Sequence, residues 1–406
     1  MATARLAPQP PITAQWPSVR SHWPAYDEES IAEVCAILRS GEVNSLHHGK
    51  RCSAFERAFA RLCEVPFAIA VANGTLALEL ALRALQIGPG DEVIVPARSF
   101  IASASCVRAV GATPIFADID ADTQALSAHT VSQVISERTK ALIVVHLAGH
   151  PAAMGKLMGI AAQHGLKVVE DCAQAHGATL GGRPVGSFGD IAAFSFCTDK
   201  IISTGGEGGM VVTRHADLWR RAWAYKDHGK SPDGGTPTTL PGTFRWLHER
   251  VGSNFRLTEM QAAIGLRQLA CLPQWLATRR RNAAILDRGL AGLPAMRLIT
   301  LKRSVGHAYY KYYCFVRPQH LAAGWSRNRI VAELAQAQIP CGTGSCPEIY
   351  REAAFVGSTS VPPVRLPVAR HLGETSLMLP VDPTLEADAV AVMAAALRSI
   401  VQRASR

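Results

Sequence analysis

Apolar residues recur along this chain in two rhythms. Seven short stretches are almost continuously apolar: residues 67–72, 92–96, 113–118, 141–147, 166–171, 191–196 and 209–213. Runs of that length suit strands covered on both faces by other elements. Between several of them the spacing changes to the helical period. Residues 74–86 place Glu79, Arg83 and Gln86 on one face and leucines elsewhere, with Glu79 and Arg83 four apart as a supporting pair. Residues 151–165 read as a second helix, opened by Pro151 and closed by Gly165. Strands alternating with helices predict an α/β domain on a mostly parallel, seven-stranded sheet.

Beyond residue 213 the pattern changes. Residues 226–254 are rich in Gly, Pro, Ser and Thr and carry no periodic element. A loop that long inside a domain points to a functional or a disordered segment. Residues 258–290 read as helical, with a break expected near Pro273. The remainder mixes a strand at 308–316 with helices at 327–337 and 385–402. The predicted division is a large domain, 1–290, that includes an N-terminal arm and the segment 226–257, and a smaller α+β domain, 291–406.

Composition narrows the function classes. A chain of 406 residues with 48% hydrophobic and 18% charged residues can bury a sizeable core. Its apolar stretch 68–85 is interrupted by Asn73, Glu79 and Arg83, too polar for a bilayer, and the first twenty residues lack the apolar centre of a signal peptide. A cytoplasmic protein with no membrane partner is expected. Ten cysteines are scattered without a C-x-x-C pair, which reads as small buried hydrophobes, with no metal site expected. Net charge is +10, yet Lys and Arg are dispersed, and the densest cluster, residues 279–281, comes without a nucleic-acid signature. No nucleic-acid partner is expected; part of the charge suits an anionic small substrate. His146 and His150 have metal-like spacing but follow a strand, so they read as core or loop residues.

Three features carry chemistry. In FSFCTDKIISTGGEGG, residues 194–209, Lys200 precedes the glycines, so a P-loop is excluded. The glycines lead into a strand and read as a tight turn. Asn73-Gly74-Thr75 ends a strand and opens a helix, where leftover N–H groups favour an anion; the same residues also make a plain N-cap. Asp171 ends a predicted parallel strand, where open α/β sheets bind ligands. A pyridoxal-phosphate enzyme needs these three together: a Schiff-base lysine, a carboxylate for the pyridine nitrogen and a phosphate cradle.

With these motifs the chain resembles the DegT-type sugar aminotransferases, pyridoxal-phosphate enzymes of fold type I. The resemblance runs through most of the chain and is strongest from 67 to 269. It rests on Asn73-Gly74-Thr75 with Leu78, residues 91–96 with Ser99-Phe100, residues 170–177 (EDCAQAHG), the Lys200 motif, and Asn254-Phe255-Arg256-Leu257 with residues 261–263. It implies that Lys200 carries the cofactor, that Asp171 pairs with its pyridine nitrogen, and that Gln174 and Phe100 pack on its ring. Gly74, Thr75 and Ser195 would bind the phosphate, joined by Asn254 from a partner chain, so that a homodimer shares its sites. The implied reaction cycles between pyridoxal and pyridoxamine phosphate and moves an amino group from an amino acid, glutamate, to a nucleotide-linked keto sugar. A keto-cyclitol acceptor is the enzymatic alternative; a cofactor-binding sensor without turnover is the other class. Cys197 stands where relatives carry an aromatic, and residues 339–347 depart from the usual substrate segment. Lys200 argues against the dehydratase branch, which has histidine there. His176 is expected to border the site without chemistry, and residues 309–313 offer a tyrosine face for packing or for substrate.

Overall fold

All seven apolar runs pair into one sheet. A computed structural model describes residues 16–45, 49–232 and 248–406. Across the sheet the order is Phe67–Val71, Gly209–Thr213, Ile191–Ser195, Lys167–Asp171, Thr139–Val145, Glu92–Pro96, Thr113–Ala117. Gly209–Thr213 runs antiparallel to both neighbours, and the other neighbouring pairs are parallel. Alternate side chains feed opposite faces. Ile69, Val71, Val93, Val95, Ile143 and Val169 join one core cluster. Ala68, Ala70, Phe194, Met210 and Val212 pack on the other face against Phe55 and Phe59. Burial on both faces is why these strands read as unbroken apolar runs.

Register sets up the site. Gly209 lies opposite both Val71 and Ser195, while Asp171 is level with Ala193 and Val145. The residues that follow Val71 and Ser195, and Asp171 itself, therefore meet at one edge of the sheet.

The helix after the first strand spans Gly74–Ala84, capped by Asn73, whose Oδ1 accepts from the Leu76 N–H at 2.9 Å. Met154–Gln163 is the second expected helix, three residues shorter at its start. Helices Glu28–Ser40, Lys50–Leu62, Ala102–Ala109, Ala128–Ser132 and Ala216–Lys226 also belong to this part of the chain.

The expected break near Pro273 is absent. Glu259–Leu290 is one helix of 32 residues with Pro273 inside it. A proline removes one N–H and crowds the preceding turn, but packing on either side holds this helix together. Leu272 and Leu276 are buried with Phe55 and Phe59, and Ala283, Leu286 and Leu290 are buried with Leu397 and Ile400 of the last helix, Ala387–Ala404. The C-terminal part carries a three-stranded antiparallel sheet, Met296–Leu298, Tyr312–Val316 and Ser376–Leu379, with Tyr312–Val316 central, and the helix Arg327–Gln336.

The strand expected from residue 308 begins only at Tyr312. Tyr309 adopts φ 48°, and the Tyr310 N–H donates to the Ala148 carbonyl at 2.9 Å, so this stretch is tied to a loop of the large sheet. Within 226–254, the His228 N–H donates to Ser253 and the Glu249 N–H to Gly229, clasping the two ends together. Residues 233–247 of that segment lie outside the described residues.

Candidate active site

A cavity of about 720 Å³ opens at the sheet edge that the register defines. Its first wall is the turn from Phe67–Val71 into Gly74–Ala84. Asn73 occupies itself as the cap, so the Gly74 and Thr75 N–H groups belong to the first turn, which a helix cannot satisfy internally. Both residues line the cavity, and a helix N-terminus favours an anion there. Ser195 closes the other side. A Cβ on Gly74 would lie 2.5 Å from the Ser195 Cβ, and one on Gly209 would lie 2.4 Å from the Asn73 carbonyl oxygen. Three backbone segments can approach this closely only because glycines occupy these positions.

Asp171 forms the floor. It is buried, accepts from Ser103 Oγ at 2.7 Å and from the Ala173 N–H at 3.2 Å, and Ser103 is in turn 2.9 Å from Ser99 Oγ. Burial pushes its carboxyl pKa up, against the pull of these hydrogen bonds. Among the described residues no basic side chain forms an ion pair with it. A buried carboxylate of this kind, facing a cavity, suits a ligand that brings a cationic N–H.

Beneath Asp171, the adjacent Glu170 points the other way. It accepts from the Gly186, Phe188 and Gly189 N–H groups at 2.9, 2.8 and 2.7 Å. His146 Nε2 lies 3.0 Å away, while His146 Nδ1 accepts from the Ala152 N–H. Because Nδ1 is an acceptor, the imidazole is neutral and donates through Nε2. Burial would raise Glu170, but these donors hold its pKa below the usual value. His146, Glu170 and Cys172 bring their ligand atoms within 4.8 Å of one another. For His146 and Glu170 those atoms are already engaged by the protein, so the cluster braces the strand end that carries Asp171.

Lys200 enters from the glycine turn. The Phe196 N–H donates to Gly208 at 2.7 Å, and Trp23 Nε1 donates to the Lys200 carbonyl at 2.8 Å. Lys200 Nζ lies 3.5 Å from Asp199 Oδ1 and 5.0 Å from the centroid of the Tyr310 ring, and the Tyr310 hydroxyl donates to Asp199. Gln174 is held by the Ala148 N–H at 2.7 Å. Phe100, at 64% exposure, presents its ring on the rim. The facing wall comes from Gly344, Ser345, Cys346 and Met378.

The cavity thus gathers Gly74, Thr75, Phe100, Asp171, Gln174, Ser195 and Lys200. Asn254 is exposed and lies outside the cavity lining of this chain. His176 is fully buried away from the cavity among Phe59, Phe194 and Phe196. Its ring nitrogens make no well-formed hydrogen bond, and burial, aided by the Lys200 charge, pulls its pKa to about 3. Sequence reasoning missed Ser103, Asp199 and Trp23. Ser103 had a local signal, since Ser99 and Ser103 are four apart at the start of a helix. Asp199 and Trp23 had none: Asp199 reads as an ordinary charge beside Lys200, with its second partner, Tyr310, 111 positions away, and the partner of Trp23 is 177 positions away.

The geometry offers an anion cradle, a buried acid and an amine around one space of ligand size, a set that fits pyridoxal phosphate. Residues 24–398 match the model of the DegT/DnrJ/EryC1/StrS aminotransferase family. The chain is 36% identical over 380 residues to a UDP-N-acetyl-3-dehydro-alpha-D-glucosamine 3-aminotransferase of Acidithiobacillus ferrooxidans, covering 94% of this chain and 96% of that one. It is 41% identical over 306 residues to an L-glutamine:2-deoxy-scyllo-inosose aminotransferase of Streptomyces fradiae, covering 74% and 70%. The crystal structure of an aminotransferase from Psychrobacter cryohalolentis superposes with a TM-score of 0.92 at 45% identity, over 96% of this chain and all of that one. The chain belongs to the DegT/DnrJ/EryC1/StrS aminotransferase family, and the protein is a fold type I aminotransferase that uses pyridoxal 5′-phosphate.

Proposed function

We propose that the protein moves an amino group from an amino acid, L-glutamate, onto the keto carbon of a nucleotide-linked sugar, at a site completed by a second copy of the chain. The observation that carries this reading is the convergence of Lys200, Asp171, Ser195 and the Gly74–Thr75 turn on one cavity, in a chain akin over 94% of its length to an enzyme named for a UDP-sugar. About 720 Å³ is ample for a cofactor and the reacting part of a sugar.

When bound, pyridoxal phosphate supplies an aldehyde that takes up the amino group and a ring that accepts the electron pair of a departing proton. The chain does the rest. Gly74, Thr75 and Ser195 would hold the phosphate, and Asp171 would keep the pyridine nitrogen protonated. Phe100 would cover one face of the ring, and Gln174 would meet its oxygen edge. Lys200 would carry the cofactor and, as a free amine, would shuttle a proton. Asn254, exposed beside the clasped segment, would reach the phosphate of the partner's site, which makes a homodimer part of the reading. The ten cysteines are all free, which suits a reducing cytoplasm, and no described helix is long and apolar enough to cross a membrane. Residues 291–406 would form the smaller domain.

A keto-cyclitol acceptor is the second reading, favoured by the 41% identity to the scyllo-inosose enzyme. Stepwise half-reactions separate the two. Glutamate should discharge the yellow absorption of the enzyme, and a panel of keto sugars and keto-cyclitols should restore it. Restoration by cyclitols alone selects the second reading; no discharge by any amino donor leaves a sensor. Lys200→Ala should lower turnover on the order of 10⁴-fold, and near-normal turnover would overturn the role of Lys200.

A further inference from the structure

Asp199 has no role in the reading above, yet its carboxylate is the acidic group that meets Lys200. One oxygen, Oδ1, lies 3.5 Å from Lys200 Nζ, and the other, Oδ2, accepts from the Tyr310 hydroxyl. All three residues line the same cavity. Tyr310 comes from a segment 111 positions away and is itself pinned. Its N–H donates to the Ala148 carbonyl at 2.9 Å, and its carbonyl accepts from Nη1 of the buried Arg279 at 3.2 Å. The Tyr310 ring also lies 5.0 Å from both Lys200 Nζ and Lys311 Nζ.

The Asp199 side chain is 54% exposed and that of Lys200 16%. An ion pair this open adds little to folding. Its position beside a reacting amine gives it another use. A neutral amine can accept a proton or attack a carbonyl carbon; an ammonium can do neither. A carboxylate within 4 Å favours the ammonium. Burial tends to raise the Asp199 pKa, but the charge of Lys200 and the Tyr310 hydrogen bond hold it below the usual value, so it remains an anion at neutral pH. Burial pushes the Tyr310 phenol up, so it stays a donor.

We propose that Asp199, held in place by Tyr310, is a positioning residue that stations the free amino group of Lys200 and sets the pH at which it gives up its proton. The inference rests on reading Lys200 as the reacting amine. When Nζ takes a proton onto its lone pair, the new charge forms beside Asp199 and not against bare aromatic rings. When the proton leaves, the pair reverts to one negative charge, shared with the Tyr310 hydroxyl. Other titratable groups around Lys200 are Asp171 from the floor, Cys197 and Glu207 from the glycine turn, His176 behind it and Lys311 beyond the Tyr310 ring. Among the described residues only Asp199 forms an ion pair with Lys200.

The test is competitive acetylation of Lys200 against pH, read by peptide mass spectrometry on the full-length protein freed of cofactor. Asp199→Asn should lower the apparent pKa of Lys200 by about one unit, roughly a tenfold gain in labelling below the midpoint. Tyr310→Phe should shift it the same way by less, and the double variant should match Asp199→Asn alone. The pH midpoint of the visible band of the holoenzyme should move in the same direction. A labelling curve for Asp199→Asn that overlays the wild type, or moves upward, overturns the proposal. A Tyr310 effect that persists without the carboxylate overturns the part given to Tyr310. Lys200→Ala separates the two readings: if it keeps the lysine-bound visible band, Lys200 is not the reacting amine, whatever Asp199 does.

Discussion

The floor of the cavity and the wall facing it are built on opposite terms. On the floor, strand ends supply the residues, and the carboxylates of Glu170 and Asp171 are engaged by backbone N–H groups, a hydroxyl and an imidazole. The facing wall is a loop, residues 342–346, laid over Tyr313 and Arg98. The Ser345 N–H donates to the Tyr313 hydroxyl at 2.9 Å, and Gly344 sits at φ 98°. Arg98 is fully buried behind this loop and gives one bond, from Nη2 to Ser376 Oγ at 2.9 Å, while Nε and Nη1 find no acceptor among the described residues. The floor is fixed by sheet register and, on the proposed function, would serve chemistry common to every substrate. The wall is fixed by a few loop contacts and can be rebuilt without disturbing the sheet. The proposed function would accordingly assign catalysis to the floor and selection of the acceptor to the wall.

The hardest test of that division falls on the floor. Asp171→Asn should lower kcat about 10²–10³-fold with every substrate pair, because a neutral amide cannot hold a proton on a pyridine nitrogen. Folding should tolerate the change, since burial already opposes the charge of Asp171. Steady-state rates with two acceptors, set beside the thermal midpoint of the cofactor-free protein, read both effects. A rate loss confined to one acceptor would give the floor a part in selection and break the contrast.

A smaller effect is expected on the wall. A Cβ at Gly344 would lie 2.5 Å from the Tyr313 ring and 2.9 Å from Arg98 Nη2, at a φ that side chains rarely adopt. Gly344→Ala should therefore displace the loop and cost about 1–3 kcal/mol of stability. The KM for the acceptor should rise by roughly tenfold, equivalent to about 1.4 kcal/mol, while single-turnover discharge by glutamate stays within about twofold. Equal losses in both half-reactions would show that wall and floor act as one unit.

The same contrast explains what could be read from the sequence. The seven strands were legible because burial on both faces leaves unbroken apolar runs, and Asp171 and Lys200 were legible because chemistry-bearing residues follow such runs. Asp199, with its distant second partner Tyr310, and the buried cation Arg98 look like ordinary surface charges in sequence. Their meaning depends on segments more than a hundred residues away. Pro273 misled for a related reason: local propensity argues for a break, and tertiary packing on both halves of the helix outweighs it. The part proposed for Asn254 would need a second chain.

The smallest effect at neutral pH concerns what lies behind each surface. Arg98 and His176 both bury nitrogens without well-formed partners, but arginine remains a cation while His176 is neutral, its pKa drawn to about 3 mainly by burial. An unfolded histidine titrates near 6.5. Between those values the unfolded chain binds one more proton at this position. The stability that His176 supports is therefore complete above about pH 6.5 and declines as the pH falls, by at most about 1.4 kcal/mol per unit. In His176→Phe the ring would sit among Phe59, Phe194 and Phe196 and lose that dependence. Urea unfolding of the cofactor-free proteins should give similar stabilities for wild type and variant at pH 7.5. At pH 4.5 the variant should be ahead by about 2–3 kcal/mol. Arg98→Met carries no titrating group in this window, so its offset from wild type should be the same at both pH values. If the His176→Phe offset were equally flat, the space behind the floor would be admitting water or a proton, and the floor would be no drier than the wall.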